Sequence, residues 1–310
     1  MSLSVCCQWV SEKVKKDGSV DFKNEIEEKT LQLGRYQKGE YSEQRLKDTY
    51  HHNVDQHVKL LPNLIKNNIK SFRLTSNLFG LFEFTHEMVK KDELLKKKLK
   101  FFGDKIKANG IRVTCHPGQF TVISSDTDKV VENAIRELEY HAWIFDQMGF
   151  DESPFYAINI HGGKADRSDR IVEVVKTLPD NVRKRLTFEN DESSYDTKQL
   201  LEICDKTGVP VVFDSHHYVF NTGGLSMNEA IVETVKSWNG VKPLQHLSNT
   251  EVGIGQDASF TERRKHSAYI HYVPDLQLEL AREDLVDVEV EAKAKNLAVL
   301  KMRKDFGITV

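Results

Sequence analysis

Six side chains of metal-ligand type stand at the ends of six short apolar runs. They are His116 in VTCHPGQF, His161 in INIHGG, Glu189 in LTFEND, Asp214 in VVFDSHH, His246 in PLQHLS and Glu291 in VEVEAK. Imidazoles and carboxylates without thiolates suit Mn²⁺, Zn²⁺ or Fe²⁺ better than Ca²⁺. Glu189 and Glu291 each offer two donor oxygens and can bridge a pair of ions. Asp214 and His217 form a D-x-x-H pair that would serve neighbouring ions, and His266 in KHSAYI is a further candidate ligand. Divalent ions set close together polarise a phosphate, bring a bridging water towards neutral pKa and stabilise a leaving alkoxide. The pattern therefore points to metal-assisted chemistry on an oxygen-rich substrate, a phosphodiester first, with Glu189, Glu291, His116 and Asp214 as the catalytic core. No Ser–His–Asp or Cys–His nucleophile arrangement accompanies them. Gly162-Gly163 is read as a close backbone turn beside the site, His216 as a supporting or surface residue, and Tyr218 as packing.

Six donors on six segments need a scaffold that ends many strands at one place. The sequence predicts strands at about 3–9, 69–76, 111–116, 155–161, 185–190, 209–214, 241–247 and 286–291. Helical stretches are expected at 43–67, 91–108, 128–148, 168–178, 197–207, 227–238 and 293–305. The first carries an apolar stripe of Leu46, Tyr50, Val54, Val58 and Leu61. Strands alternating with helices imply a parallel sheet, and eight such units favour closure. The expected fold is α/β: a single (β/α)₈ TIM barrel over 1–310, its metal site at the C-terminal strand ends. Residues 10–42 form a polar insertion after the first strand.

At 310 residues, one large barrel fits the chain. Hydrophobic and charged fractions of 39% and 29% are those of a soluble globular protein. The formal charge of −3 shows no overall basic character, so a nucleic-acid substrate would have to be met by bound metals and local Lys/Arg clusters. The cysteines are Cys6, Cys7, Cys115 and Cys204, with no CxxC, which argues against a disulfide framework or a structural zinc site. No signal peptide or membrane span is legible, and an intracellular location is expected.

At these residues the chain resembles the UV damage endonuclease family, metal-dependent barrel nucleases that nick DNA beside ultraviolet photoproducts. The matching stretches are FRLTSNLF, TCHPGQF, INIHGGK, LTFENDE, VPVVFDSHH, QHLS, KHSAYI and DVEVEAKAK. The resemblance implies hydrolysis of a phosphodiester 5′ to UV photoproducts, and of other distorting lesions or abasic sites, in damaged double-stranded DNA. It implies two or three divalent ions, Mn²⁺ first, with Mg²⁺, Zn²⁺ or Co²⁺ as alternatives. A monomer, with no membrane and no obligate protein partner, is expected. The implied ligands are His116, His161, Glu189, Asp214, His217, His246, His266 and Glu291. Gln119 and Phe120 correspond to a Gln–aromatic pair that enters the duplex and probes the lesion, and His86 to a histidine near the site. Arg73 and Lys164 are candidates for phosphate contact. Two departures stand out. Leu244-Gln245-His246 replaces a Lys-x-His whose lysine can be carboxylated, and VCCQW replaces a first strand bearing Tyr and Asn, leaving Gln8 and Trp9 as substitutes near the lesion. Rival readings are an apurinic-site endonuclease, a metal-dependent sugar isomerase or epimerase on the same barrel, and a non-catalytic binding barrel.

Overall fold

Short β-branched runs, each followed by a polar turn and an amphipathic helix, close into a ring of parallel strands in the computed structural model, which describes residues 2–308. The strands are β1 (Ser2–Cys6), β2 (Val10–Val14), β3 (Val20–Asn24), β4 (Ser71–Leu74), β5 (Arg112–Cys115), β6 (Ile158–His161), β7 (Leu186–Glu189), β8 (Val211–Asp214), β9 (Leu244–Leu247) and β10 (Asp287–Val290). The closed order is β1-β10-β9-β8-β7-β6-β5-β4. This is a TIM barrel, as the alternation of strands and helices implies. β5, β7, β8, β9 and β10 are buried at every position. One face packs on the helices, the other on the barrel interior.

The inward positions form stacked layers. Leu244 pairs in register with Asp287, and His246 with Glu289. On the next strands Asp214 lies beside His246, and His161 beside Glu189. The bottom layer is closed by Arg112. Its guanidinium donates to Asp287 at 3.0 Å and to the carbonyls of Pro154, Phe155 and Lys242 at 3.2, 2.6 and 3.0 Å. It lies against the rings of Phe155 and Trp238. The barrel is therefore plugged at one end by a buried ion pair and left polar at the other.

Several expected boundaries move. The first strand stops at Cys6, because Cys7 turns the chain with a left-handed φ of 62°. Residues 10–42 contain the antiparallel β2–β3 hairpin and a short helix, Leu33–Gln37. The hairpin is tied down where Val10 N–H donates to Asn296 Oδ1 at 2.6 Å. The helix expected at 91–108 is Glu93–Ala108, capped by Asp92, which accepts from Leu95 N–H, and a further helix not expected from the sequence, Phe82–Lys91, precedes it. Between β9 and β10 runs the helix Asp275–Arg282, which the sequence reading lacked. All four cysteines are free. Among the described residues, no helix is long and apolar enough to cross a membrane.

Candidate metal centre

Parallel strands point alternate residues inward, so strand parity decides which donors meet. The last inward residues of β6, β7 and β8 are His161, Glu189 and Asp214, and His116 follows β5 directly. Their ligand atoms cluster into two triads that share Glu189: His116–His161–Glu189 and Glu189–Asp214–His217. A third triad, His246–Glu289–Glu291, lies beside them. Glu189, Asp214, His246 and Glu289 are essentially shielded from solvent.

Local hydrogen bonds aim the rings. His116 Nδ1 lies 3.0 Å from the Pro117 carbonyl, which takes its proton and leaves Nε2 facing Glu189 Oε2 at 3.2 Å. His217 Nδ1 is held the same way by the Asn190 carbonyl at 2.9 Å. Such outer contacts set the tautomer of a metal-binding histidine. Asp214 Oδ1 accepts from the backbone N–H groups of His216 and His217 at the start of the helix Ser215–Phe220, each at 2.7 Å. Its Oδ2 is buried with no hydrogen-bond partner, as are His161 Nδ1, both His246 nitrogens and Glu289 Oε2. Glu189 is held by Asn159, whose own oxygen accepts from Thr187 at 2.8 Å. Gly162 leaves room for the Tyr195 ring, since a Cβ there would lie 2.3 Å from it. Gly163 takes a left-handed φ of 82°. The turn after His161 is thus as tight as the two glycines suggest.

Buried oxygen and nitrogen donors without partners, grouped at distances a single ion spans, fit divalent cations of the Mn²⁺ and Zn²⁺ type. The electrostatics agree. Burial pushes the Glu189 carboxyl up, but His246, His161 and His116 around it hold it well below the usual range. Burial likewise opposes ionisation of Glu291, yet Arg73 and His246 keep it low. Burial alone would lower His217; Asp214, Glu189 and Glu192 outweigh it and lift the ring to about 9. Without a cation, the carboxylates hold a proton on His217 at neutral pH, and a metal must displace it. Apparent Mn²⁺ affinity is therefore expected to rise as pH goes from about 6.5 to about 9, with proton release on binding. Titration calorimetry in buffers of different ionisation enthalpy measures this. Metal uptake that is pH-independent and releases no proton would remove His217 from the ligand set.

The remaining candidates fall in different places. His266 lies at the rim, its Nδ1 3.8 Å from Glu291 Oε2, and His216 is buried beside it with ring centroids 5.4 Å apart. Gln119 is exposed on the loop after β5, and Phe120 projects into solvent with 83% of its surface exposed. Arg73 is inside the barrel, with Nη1 on Glu291 and 3.4 Å from Glu289 Oε2. Lys164 pairs with Asp126, which Arg167 also contacts. His86 is on the outward face of Phe82–Lys91, 3.2 Å from the Glu83 carbonyl, in a recess with Lys90 and Arg136. Gln8 is exposed and Trp9 is packed part-way into the core. Leu244 is fully buried with Ala157, Val212 and Trp238. Tyr218 is packed against Phe213, with its hydroxyl on the Leu225 carbonyl at 2.6 Å.

Sequence reasoning missed Glu289, although Asp287, Glu289 and Glu291 sit two apart in DVEVE and share one strand face. It also missed Glu192, which lies 3.7 Å from His217 Nε2 and pairs with Arg264. No local signal marks Glu192, because Arg264 arrives from a loop far along the chain.

Comparison with known proteins follows the same lines. Residues 17–309 match the family described as UV-endonuclease UvdE. A UV DNA damage endonuclease from Nostoc sp. is 32% identical over 293 residues, covering 92% of this chain and 87% of the relative. One from Deinococcus radiodurans is 31% identical over 289 residues, covering 90% and 91%. The crystal structure of SacUVDE superposes with a TM-score of 0.80 at 28% identity, covering 100% of both chains.

Proposed function

The chain belongs to the UV-endonuclease UvdE family, and from that premise we propose that it is a metal-dependent endonuclease that hydrolyses DNA 5′ to ultraviolet photoproducts. The observation that carries this reading is the pair of donor triads sharing Glu189, at the same barrel mouth from which Gln119 and Phe120 project. His116, His161, Glu189, Asp214, His217, His246, His266 and Glu291 would hold two or three cations, Mn²⁺ foremost. Bound there, divalent ions supply a hydroxide at neutral pH and neutralise charge on the scissile phosphate. The protein's own contribution is placement. Pro117 and Asn190 fix two rings, Asn159 fixes Glu189, and the helix start at Ser215 fixes Asp214.

Recognition falls to the rim. A photoproduct weakens stacking, so a distorted duplex costs less to bend and open than an intact one. Phe120 can stack in the gap this leaves, and the Gln119 amide can bond exposed base edges. Lys164, Arg167 and Arg264 stand near the mouth, each on a carboxylate that a DNA phosphate would displace. The salt dependence of binding is then set by the few phosphates these cations neutralise, whatever the net charge of −3. Base–aromatic stacking is worth ~1–3 kcal/mol. Phe120→Ala is therefore expected to lower the preference for damaged over intact duplex by roughly 5- to 100-fold, with metal content unchanged. Gln119→Ala is expected to act in the same direction. Equal loss on both duplexes would make the pair structural.

The test of the reading is cleavage of an end-labelled duplex carrying one cyclobutane dimer, beside undamaged and abasic duplexes, with Mn²⁺, Mg²⁺ or EDTA. A metal-dependent nick immediately 5′ of the dimer is expected. Cutting of the abasic duplex alone would move the protein to apurinic-site cleavage, and no cutting of any duplex would overturn the nuclease reading.

A further inference from the structure

The EAKAK stretch after β10 brings Glu291 to the metal centre and leaves its two lysines without a role. They are placed differently. Lys293 pairs with Glu251 at 3.0 Å. Lys295 has no ion pair and no hydrogen bond among the described residues, and its Nζ is open to solvent although the residue is half-buried. Its charge acts on the thiols of Cys6 and Cys7, which sets the ammonium at the end of β1, beside the mouth of the barrel. Burial keeps both thiols protonated, so neither offers the ammonium an anion.

The backbone at this lysine is strained. Lys295 holds a left-handed φ of 48°, a conformation that is unfavourable for any residue with a Cβ and easy for glycine. Its neighbours leave no slack in which to relax. Lys293 and Ala294 donate their N–H groups to the carbonyls of Ser267 and Ala268 at 3.1 and 3.0 Å, and Ala292 and Ala294 are buried. On the other side, Asn296 Oδ1 accepts from Val10 N–H at 2.6 Å while its Nδ2 donates to the Val10 carbonyl at 3.0 Å. The chain changes direction between these two anchors, at Lys295. Strain that the surroundings fix in this way collects at functional positions. The side chain returns no ion pair or hydrogen bond to the fold in compensation.

We propose that Lys295 is a substrate contact whose ammonium grips a backbone phosphate of the DNA on the β1–β10 side of the mouth. The identity of that ligand rests on the nuclease reading. Lys164, Arg167 and Arg264 must each leave a carboxylate before they meet DNA. Lys295 breaks no pair on binding, and its fixed backbone holds the stem in place beforehand. An ammonium is a compact charge that meets a phosphate in many orientations and reads no base. Its contribution is therefore the same on damaged and intact duplex, and it positions the strand beside Glu291 rather than choosing the lesion.

The experiment is duplex binding by fluorescence anisotropy over a salt series, with EDTA present so that nothing is cut. The full chain is compared with Lys295→Ala, Lys295→Arg and Lys295→Gly. Lys295→Ala is expected to weaken binding of dimer-containing and intact duplexes alike, by roughly 3- to 20-fold. The slope of log affinity against log salt should become shallower by about one. Lys295→Arg is expected to restore most of both. Lys295→Gly is expected to bind as weakly as the alanine variant yet melt about 1–3 °C above wild type, because it relieves the backbone. Unchanged affinity and slope in Lys295→Ala would overturn the proposal, as would a loss confined to one duplex. A fall in Tm in the alanine or the glycine variant would make Lys295 a structural residue and overturn it too. The nuclease reading fails differently: a wild-type chain with the lysine-dependent slope that nicks no duplex under Mn²⁺ would sink that reading and leave this contact standing.

Discussion

Glu189→Gln is expected to lower the nicking rate on a dimer-containing duplex by roughly a thousand-fold or more, the largest effect of any single substitution on activity. Glu189 belongs to both upper triads, so one change strikes both candidate cation positions. Glutamine preserves the shape and the Asn159 neighbour but turns an anionic oxygen into an amide. One end of that amide carries N–H donors that repel a cation. A Lewis-acid ion contributes several kcal/mol to a phosphoryl transition state, and each ~1.4 kcal/mol is tenfold in rate. Initial rates at saturating Mn²⁺, read beside bound metal per chain, check the expectation. Metal content should fall with activity while the circular dichroism spectrum stays put. A near-normal rate would take Glu189 out of the chemistry.

The largest expected effect on stability lies at the opposite end of the barrel. Asp287→Ala leaves the Arg112 guanidinium, 1% exposed, without its carboxylate. Burial already pulls the Arg112 pKa down, with Asp287 opposing that pull. The surrounding carbonyls of Pro154, Phe155 and Lys242 satisfy N–H groups but supply no net charge. Breaking one side of a buried pair costs about 3–5 kcal/mol. For a chain of this size that corresponds to a fall in Tm of roughly 5–15 °C. Lys242, which also contacts Asp287 at 2.8 Å, is partly exposed and can turn to solvent, so it does not soften the loss at Arg112. Thermal unfolding of the metal-free chain is the measurement, because bound ions would mask part of the change. A Tm within about two degrees of wild type would mean that the plug is dispensable. Metal stoichiometry of the folded fraction should be unaltered, since the plug and the donor layers share no ligand.

How much of this was legible beforehand depends on whether the signal was local. The eight barrel strands are visible because short segments rich in Val, Ile, Phe and Leu, bounded by turn residues, recur between the helical stretches. The donors at their ends are visible because each breaks such a run. The helix Ser215–Phe220, absent from the expected elements, starts on Asp214, whose carboxylate accepts from the next backbone N–H groups. Less was legible where two patterns compete. VCCQW reads as a continuing strand, but the left-handed turn at Cys7 sends Gln8 and Trp9 out of the barrel layer. The β2–β3 hairpin is so polar that its alternation is faint. The helix Asp275–Arg282 is short and starts directly after Pro274, so only about two turns of pattern mark it.

The sequence by itself determined the class of fold and which strand ends carry candidate donors, because strand period, helix period and donor identity are properties of neighbours along the chain. Only the tertiary structure decided who meets whom. That Glu189 serves two triads, that Arg73 turns to Glu291 across 218 positions of sequence, and that Glu289 stands against His246 all follow from barrel closure and strand register. Register is fixed by the packing of the whole ring, and a shift of one residue on any strand would turn its donor from the interior to the helices.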